Sequence, residues 1–138
     1  MASLFERLGG LDAINAVVDS FVARCTEDER INRKFERTDI PRLKTMLVDQ
    51  VCEASGGPCT YTGRDMQMAH EGLGVTDGEF DALVDDLVAT LNHFQVPSME
   101  QEELLGLLAP MRGDIVEVDS AETGTPLPAS FSPAPALT

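Results

Sequence analysis

An all-α fold is predicted by three observations. Apolar residues recur at helical spacing in stretch after stretch, capping signals stand in front of those stretches, and nowhere do apolar and polar residues alternate as a half-buried strand would require. The cleanest stripe is Phe80, Leu83, Val84, Leu87, Val88 and Leu91.

The elements follow in order. Ser3 with Glu6 three residues on is a capping-box pattern, opening a stub helix that Gly9-Gly10 ends. Ile14, Val17, Val18, Phe21, Val22 and Cys25 then keep helical register. After the acidic turn Glu27-Asp28-Glu29, Ile31 and Phe35 belong to a shorter helical stretch. Asp39 is the expected cap of the next helix and Pro41 suits its first turn, with the stripe Leu43, Met46, Leu47, Val51 running up to Ser55-Gly56-Gly57-Pro58. A loop with Tyr61 and Gly63 leads to a short turn ending in His70. Thr76 and Glu79 form a second capping-box pattern before the Phe80–Leu91 stripe, and Pro97-Ser98 closes that helix. The last helix carries Leu104, Leu105, Leu107, Leu108, Met111 and Ile115, and Pro110 within it removes a backbone hydrogen bond and should kink it.

The chain's 138 residues hold one domain, read as residues 1–119, and a tail over 120–138 whose proline and small residues cannot bury enough to order themselves. The net charge of −14 repels nucleic acid and anionic membrane surfaces alike. No apolar run approaches a membrane span and the N-terminus does not read as a signal peptide, so a cytoplasmic protein is expected. Three cysteines, Cys25, Cys52 and Cys59, make an odd, unclustered set. Cys52 and Cys59 bracket Gly56-Gly57-Pro58 and could meet across that turn, but reduced thiols are the expectation.

Chemistry concentrates on one of two histidines, in Met66-Gln67-Met68-Ala69-His70-Glu71-Gly72-Leu73-Gly74. An imidazole on a short apolar turn, facing a long apolar helix, is what the proximal side of a haem iron requires. Haem is a large apolar plate with two carboxylates. Phe35, Met66, Val75, Phe80, Leu83 and Leu108 can wall it. Arg42, Lys44 and Arg64 are the nearby cations for its propionates, or equally are ordinary surface charges. His93, at a helix end, needs no ligand role.

Taken together these residues resemble a group I truncated haemoglobin. The markers stand in order from Ser3 to Glu117: the Gly9-Gly10 pair, Phe21, Phe35, Gly56-Gly57-Pro58, Tyr61 with Gly63 and Met66, His70, and the final Leu108-Ala109-Pro110-Met111-Arg112-Gly113-Asp114-Ile115. The resemblance implies a two-over-two helical sandwich around haem b. His70 would be the iron ligand, and a distal helix Pro41 to Ala54 would face it. Cofactor contacts are expected from Phe35, Arg42, Leu43, Lys44, Met46, Leu47, Tyr61, Met66, His70, Val75, Phe80, Leu83 and Leu108.

Where the family often has a tyrosine after the phenylalanine on the second helix, this chain has Val22, and the usual polar places of the distal helix hold Leu43 and Leu47. With Phe21, these make an apolar distal pocket. A held dioxygen draws negative charge and is stabilised by a donor, whereas carbon monoxide stays near neutral. A missing charged hydrogen bond is worth roughly 1.5–3 kcal/mol, about tenfold to a hundredfold in affinity. Weak dioxygen retention and a high carbon monoxide preference are therefore expected. The reading is reversible binding of a diatomic gas (dioxygen, carbon monoxide or nitric oxide) of the oxygen-transport type rather than turnover, by a monomer or weak dimer. The alternative is a redox, gas-sensing or nitric oxide-detoxifying role with an external reductase, nitric oxide dioxygenation being at most a side activity. Met46 could give a six-coordinate iron, though packing is the usual role of a methionine in a leucine stripe.

Overall fold

In a computed structural model, residues 3–35, 38–60 and 74–125 are described. Six α-helices run through them: α1 Leu4–Leu8, α2 Gly10–Glu27, α3 Ile40–Ala54, α4 Asp77–His93, α5 Ser98–Leu108 and α6 Arg112–Ile115. A 3-10 turn, Asn32–Phe35, follows α2, and another, Ala109–Met111, separates α5 from α6. The second is the expected effect of Pro110, which interrupts the ladder at that place. No strand occurs among the described residues; Thr76 and Val118 make one isolated parallel bridge. None of the described helices is long and apolar enough to cross a membrane.

The caps act as the residue types dictate. Ser3 Oγ accepts from Glu6 N at 3.2 Å, and Asp39 accepts from Arg42 N at 3.3 Å, with Pro41 in the first turn of α3. Thr76 and Glu79 close a full reciprocal box in front of α4, both bonds 3.0 Å. The stub α1 has the hydroxyl half of that arrangement, since Glu6 Oε1 meets the Ser3 hydroxyl rather than its backbone.

The core is gathered by α2, which packs against α1, α3 and α4. Ile14, Val18, Phe21, Val22 and Cys25 of α2 meet Val48 and Cys52 of α3, Ala82, Leu87 and Leu91 of α4, and Leu104 of α5 in one buried cluster. Removing these side chains from water is the main stabilising term, about 1.5–3 kcal/mol for each large one.

Two expectations need correction. Cys52 and Cys59 are not free thiols: they are joined in a disulfide, with Cα atoms 5.6 Å apart. The sharp turn after α3 brings them within bonding reach, and only the buried Cys25 is free. Residues 120–125, assigned to the tail, are hydrogen-bonded to the body. Gly78 N donates to Ser120 O (3.1 Å), Thr76 Oγ1 to Glu122 O, and Thr125 N to Glu79 Oε2 (2.9 Å). The strap begins earlier, where Glu117 N and Val118 N both donate to Val75 O. It lies so close on the first turn of α4 that a Cβ at Gly78 would run into the Ala121 carbonyl.

Candidate functional site: an apolar wall for haem

Helix α3, expected from sequence to be the distal helix, is amphipathic in an uneven way. Only Val48 and Cys52 are buried, while Leu43, Met46, Leu47 and Val51 are half-buried despite being apolar. Phe35, Leu83 and Leu108, from three other elements, are also half-buried and pack on the edge of the core. Leu43 and Leu47 lie one turn apart on one face of α3 and pack against the core cluster that includes Phe21 and Val22, Val22 only 2% exposed. These side chains carry apolar atoms and no hydrogen-bond donor beyond the helix backbone. Such a surface fits a flat apolar cofactor.

Val75 and Phe80 are buried apart from that cluster, at the start of α4. The Arg112 guanidinium lies over the Phe80 ring, 4.9 Å from its centre, and forks to Asp81 (2.8 Å) and Asp77 (3.0 Å). Those carboxylates raise its already high pKa, Asp81 first. Arg112 was not singled out from sequence; its stacking partner is far away in the chain.

Of the proposed propionate partners, Lys44 pairs with Asp19 of α2 at 2.6 Å. It belongs to a different face of α3, where a groove of about 390 Å³ is lined by Asn15, Ala16, Val18, Asp19, Lys44, Thr45 and Val48. One residue past Leu43 is about 100° round the helix, which is why the ammonium turns from the leucine face. Arg42 is half-buried at the start of α3. Tyr61, Arg64, Met66 and His70 lie outside the described residues. Among the described residues no group of His, Cys, Asp and Glu could by itself hold a metal ion. His93 is exposed and edge-on to Phe94, 5.2 Å between ring centres.

Two buried polar clusters escaped sequence reading. In the first, Glu79 (1% exposed) faces Lys34 (6% exposed) at 3.7 Å, and Thr125 completes the link: Lys34 Nζ donates to Thr125 Oγ1 (2.9 Å), which donates to Glu79 Oε2 (2.8 Å). In the second, Asp86 of α4 lies against Asp28 at the end of α2. Burial first, then hydrogen bonding to Asp28, pushes the Asp86 carboxyl up to about 7. Burial works the same way on Asp28, but hydrogen bonds from Arg30 and Asp86 outweigh it and hold Asp28 at about 2. Asp86 Oδ2 is buried and meets no donor. Glu79 was visible only as a capping residue, and nothing local marks Asp86 as buried.

A family model described as bacterial-like globin matches residues 3–117. The group 1 truncated hemoglobin GlbN of Mycolicibacterium paratuberculosis is 37% identical over 114 residues, covering 83% of this chain and 84% of the relative. The truncated hemoglobin of Tetrahymena pyriformis in its Fe(III) form superposes with a TM-score of 0.80 at 30% identity, over 83% of this chain and 98% of that one. The 2/2 hemoglobin of Synechococcus sp. PCC 7002, solved in the cyanomet state with covalently attached heme, has a TM-score of 0.79 at 36% identity, over 83% and 98%. The expected two-over-two globin fold, with haem as its cofactor, is thereby borne out. The chain belongs to the bacterial-like globins as a group 1 truncated haemoglobin, a haem protein of a family that binds small gas ligands.

Proposed function

We propose that this globin binds a diatomic gas reversibly, with His70 as the proximal iron ligand and a distal side made apolar by Phe21, Val22, Leu43 and Leu47. When bound, haem supplies the iron at which the gas is held. The chain's part is to orient and enclose it. Phe35, Leu83 and Leu108 pack on the core edge as apolar walls, and Arg42 and Lys44 are the described cations that flank Leu43 in sequence. Val22 carries the reading: it is buried on α2 at the family's usual tyrosine place and has no hydroxyl to offer a ligand.

The consequence is a gas preference. Without a distal donor, dioxygen loses about tenfold to a hundredfold in affinity against a tyrosine-bearing relative, while carbon monoxide loses little. Oxygen transport-type binding is then release-prone, and a peroxide-splitting role lacks its distal acid–base group. Absorption spectra of the ferrous protein with and without carbon monoxide, repeated in His70→Ala, test the assignment. Loss of haem retention in His70→Ala, restored by added imidazole, is the expected result. An unchanged spectrum in that variant would overturn His70 as ligand.

A further inference from the structure

The distal helix ends in a covalent knot. Cys52, in the last turn of α3, is fully buried; Cys59, seven residues on, is half-buried, and a disulfide joins them. Between them the chain turns through Gly56 and Gly57, with Gly57 N donating to Cys52 O at 2.8 Å. Phe5 of α1 closes the knot from the other side. Its N–H donates to Ser55 O at 2.8 Å, and a Cβ at Gly57 would overlap its ring and come within 2.7 Å of Cys52 Sγ. Val51 and Leu47, part of the apolar wall, directly precede the knot on α3.

We propose that the Cys52–Cys59 disulfide is a redox-cleavable clip that sets how firmly this globin holds its haem; the inference rests on the haem reading above. With the bond intact, the last turn of α3, the chain leaving it and the start of α1 are held as one piece, so the Leu47–Val51 wall keeps its place. A dithiol is the class of reductant that opens it. Its thiolate attacks the accessible Cys59 Sγ, the Cys52–Cys59 bond breaks, and Cys52 leaves as thiolate and takes a proton. The reductant's second thiol, as thiolate, then attacks the mixed disulfide and closes a cyclic disulfide. Cys59 leaves as thiolate and takes a proton. Two electrons pass to the protein, and a small-molecule disulfide reverses the exchange. Cys25 takes no part: it is buried on α2, and burial first, then the nearby Asp86 and Asp28, push its thiol up and out of the reactive range.

The test uses the full-length, haem-loaded protein, prepared oxidised with oxidised glutathione and reduced with dithiothreitol followed by desalting under argon. Thiol titration in denaturant should count one thiol and three thiols respectively, from the three cysteines. Ferric haem transfer to excess apomyoglobin should run roughly tenfold faster from the reduced protein, because the freed ring gains conformational freedom. Cys59→Ser, and separately Cys52→Ala, should transfer at the fast rate with or without dithiothreitol. The oxidised chain freed of haem should also melt above the reduced one. Equal transfer rates at verified thiol counts overturn the clip while leaving the haem reading intact. Three thiols in the oxidised preparation overturn it as well. A chain that never develops a haem band overturns the haem reading and the clip with it.

Discussion

In the proposed reading, Val22 is the residue on which gas preference turns. It is buried on α2, in the cluster that Leu43 and Leu47 pack against, so a larger side chain there meets protein rather than solvent. Val22→Tyr should install a donor. The dioxygen off-rate is then expected to fall about tenfold to a hundredfold with little change for carbon monoxide, read by stopped-flow and flash photolysis. A parallel change in both ligands would mean a steric effect instead. Asp86 governs a different property. Its carboxyl is raised to about 7 in the fold, against an ordinary 3.8 in the unfolded chain. Its contribution to stability is therefore full below about pH 4 and is lost as pH rises through about 7. Asp28, held at about 2, contributes above its ordinary 3.8 and loses that contribution as pH falls through about 2. Asp86→Asn mimics the protonated form. Its melting temperature relative to the parent should climb between pH 4 and pH 7 and level off above, by calorimetry across that range. A difference independent of pH would show that the Asp86 carboxyl is not raised in the fold.

At the scale of elements, the start of α4 is the busiest junction. Thr76 and Glu79 cap the helix as any such pair would, but here Glu79 also accepts from Thr125 and faces Lys34. A helix cap has become a buried ion pair tying the Asn32–Phe35 turn to the C-terminal strap. Phe35 ends that turn, so the network also steadies a residue proposed as a wall of the haem site. Glu79→Ala leaves a buried ammonium without its carboxylate and is expected to cost about 3–5 kcal/mol in urea unfolding. Thr125→Val removes only the bridging hydroxyl and should cost about 1–3 kcal/mol. Equal losses in the two variants would point to the strap, rather than the charge, as the stabilising feature.

The whole molecule is a small helical fold whose last described residues are structural. Glu117 to Thr125 returns across Val75, Thr76, Gly78 and Glu79, and Gly124 N donates to Arg30 O on the turn after α2. Stopping the chain after Asp119 should therefore lower the melting temperature below that of a chain stopped after Thr125, since it strips the cover from Lys34 and Glu79. Identical melting curves would show that the strap is dispensable.

Helix identity was legible in this sequence because it is written locally. Apolar stripes, the Thr76 and Asp39 caps and Pro110 each act within a turn or two of themselves, and each appears where the pattern places it. The family, and haem with it, was legible for a related reason: its markers are residue types standing in order at fixed spacings from Ser3 to Glu117. What the sequence left open depends on residues far apart in the chain. Whether Cys52 and Cys59 bond depends on how tightly the turn after α3 closes against Phe5. That Lys44 pairs with Asp19 depends on α2 lying beside α3. Ser120 to Thr125 has the composition of a tail because it is held by hydrogen bonds to residues far away in the chain, from its backbone and from the Thr125 hydroxyl, not by apolar side chains of its own. Glu79, Lys34 and Asp86 are charged residues that composition assigns to the surface. Only the packing of α2, α4 and the strap buries Glu79 and Lys34 and half-buries Asp86, and burial is a property of the assembled fold, not of any one stretch of chain.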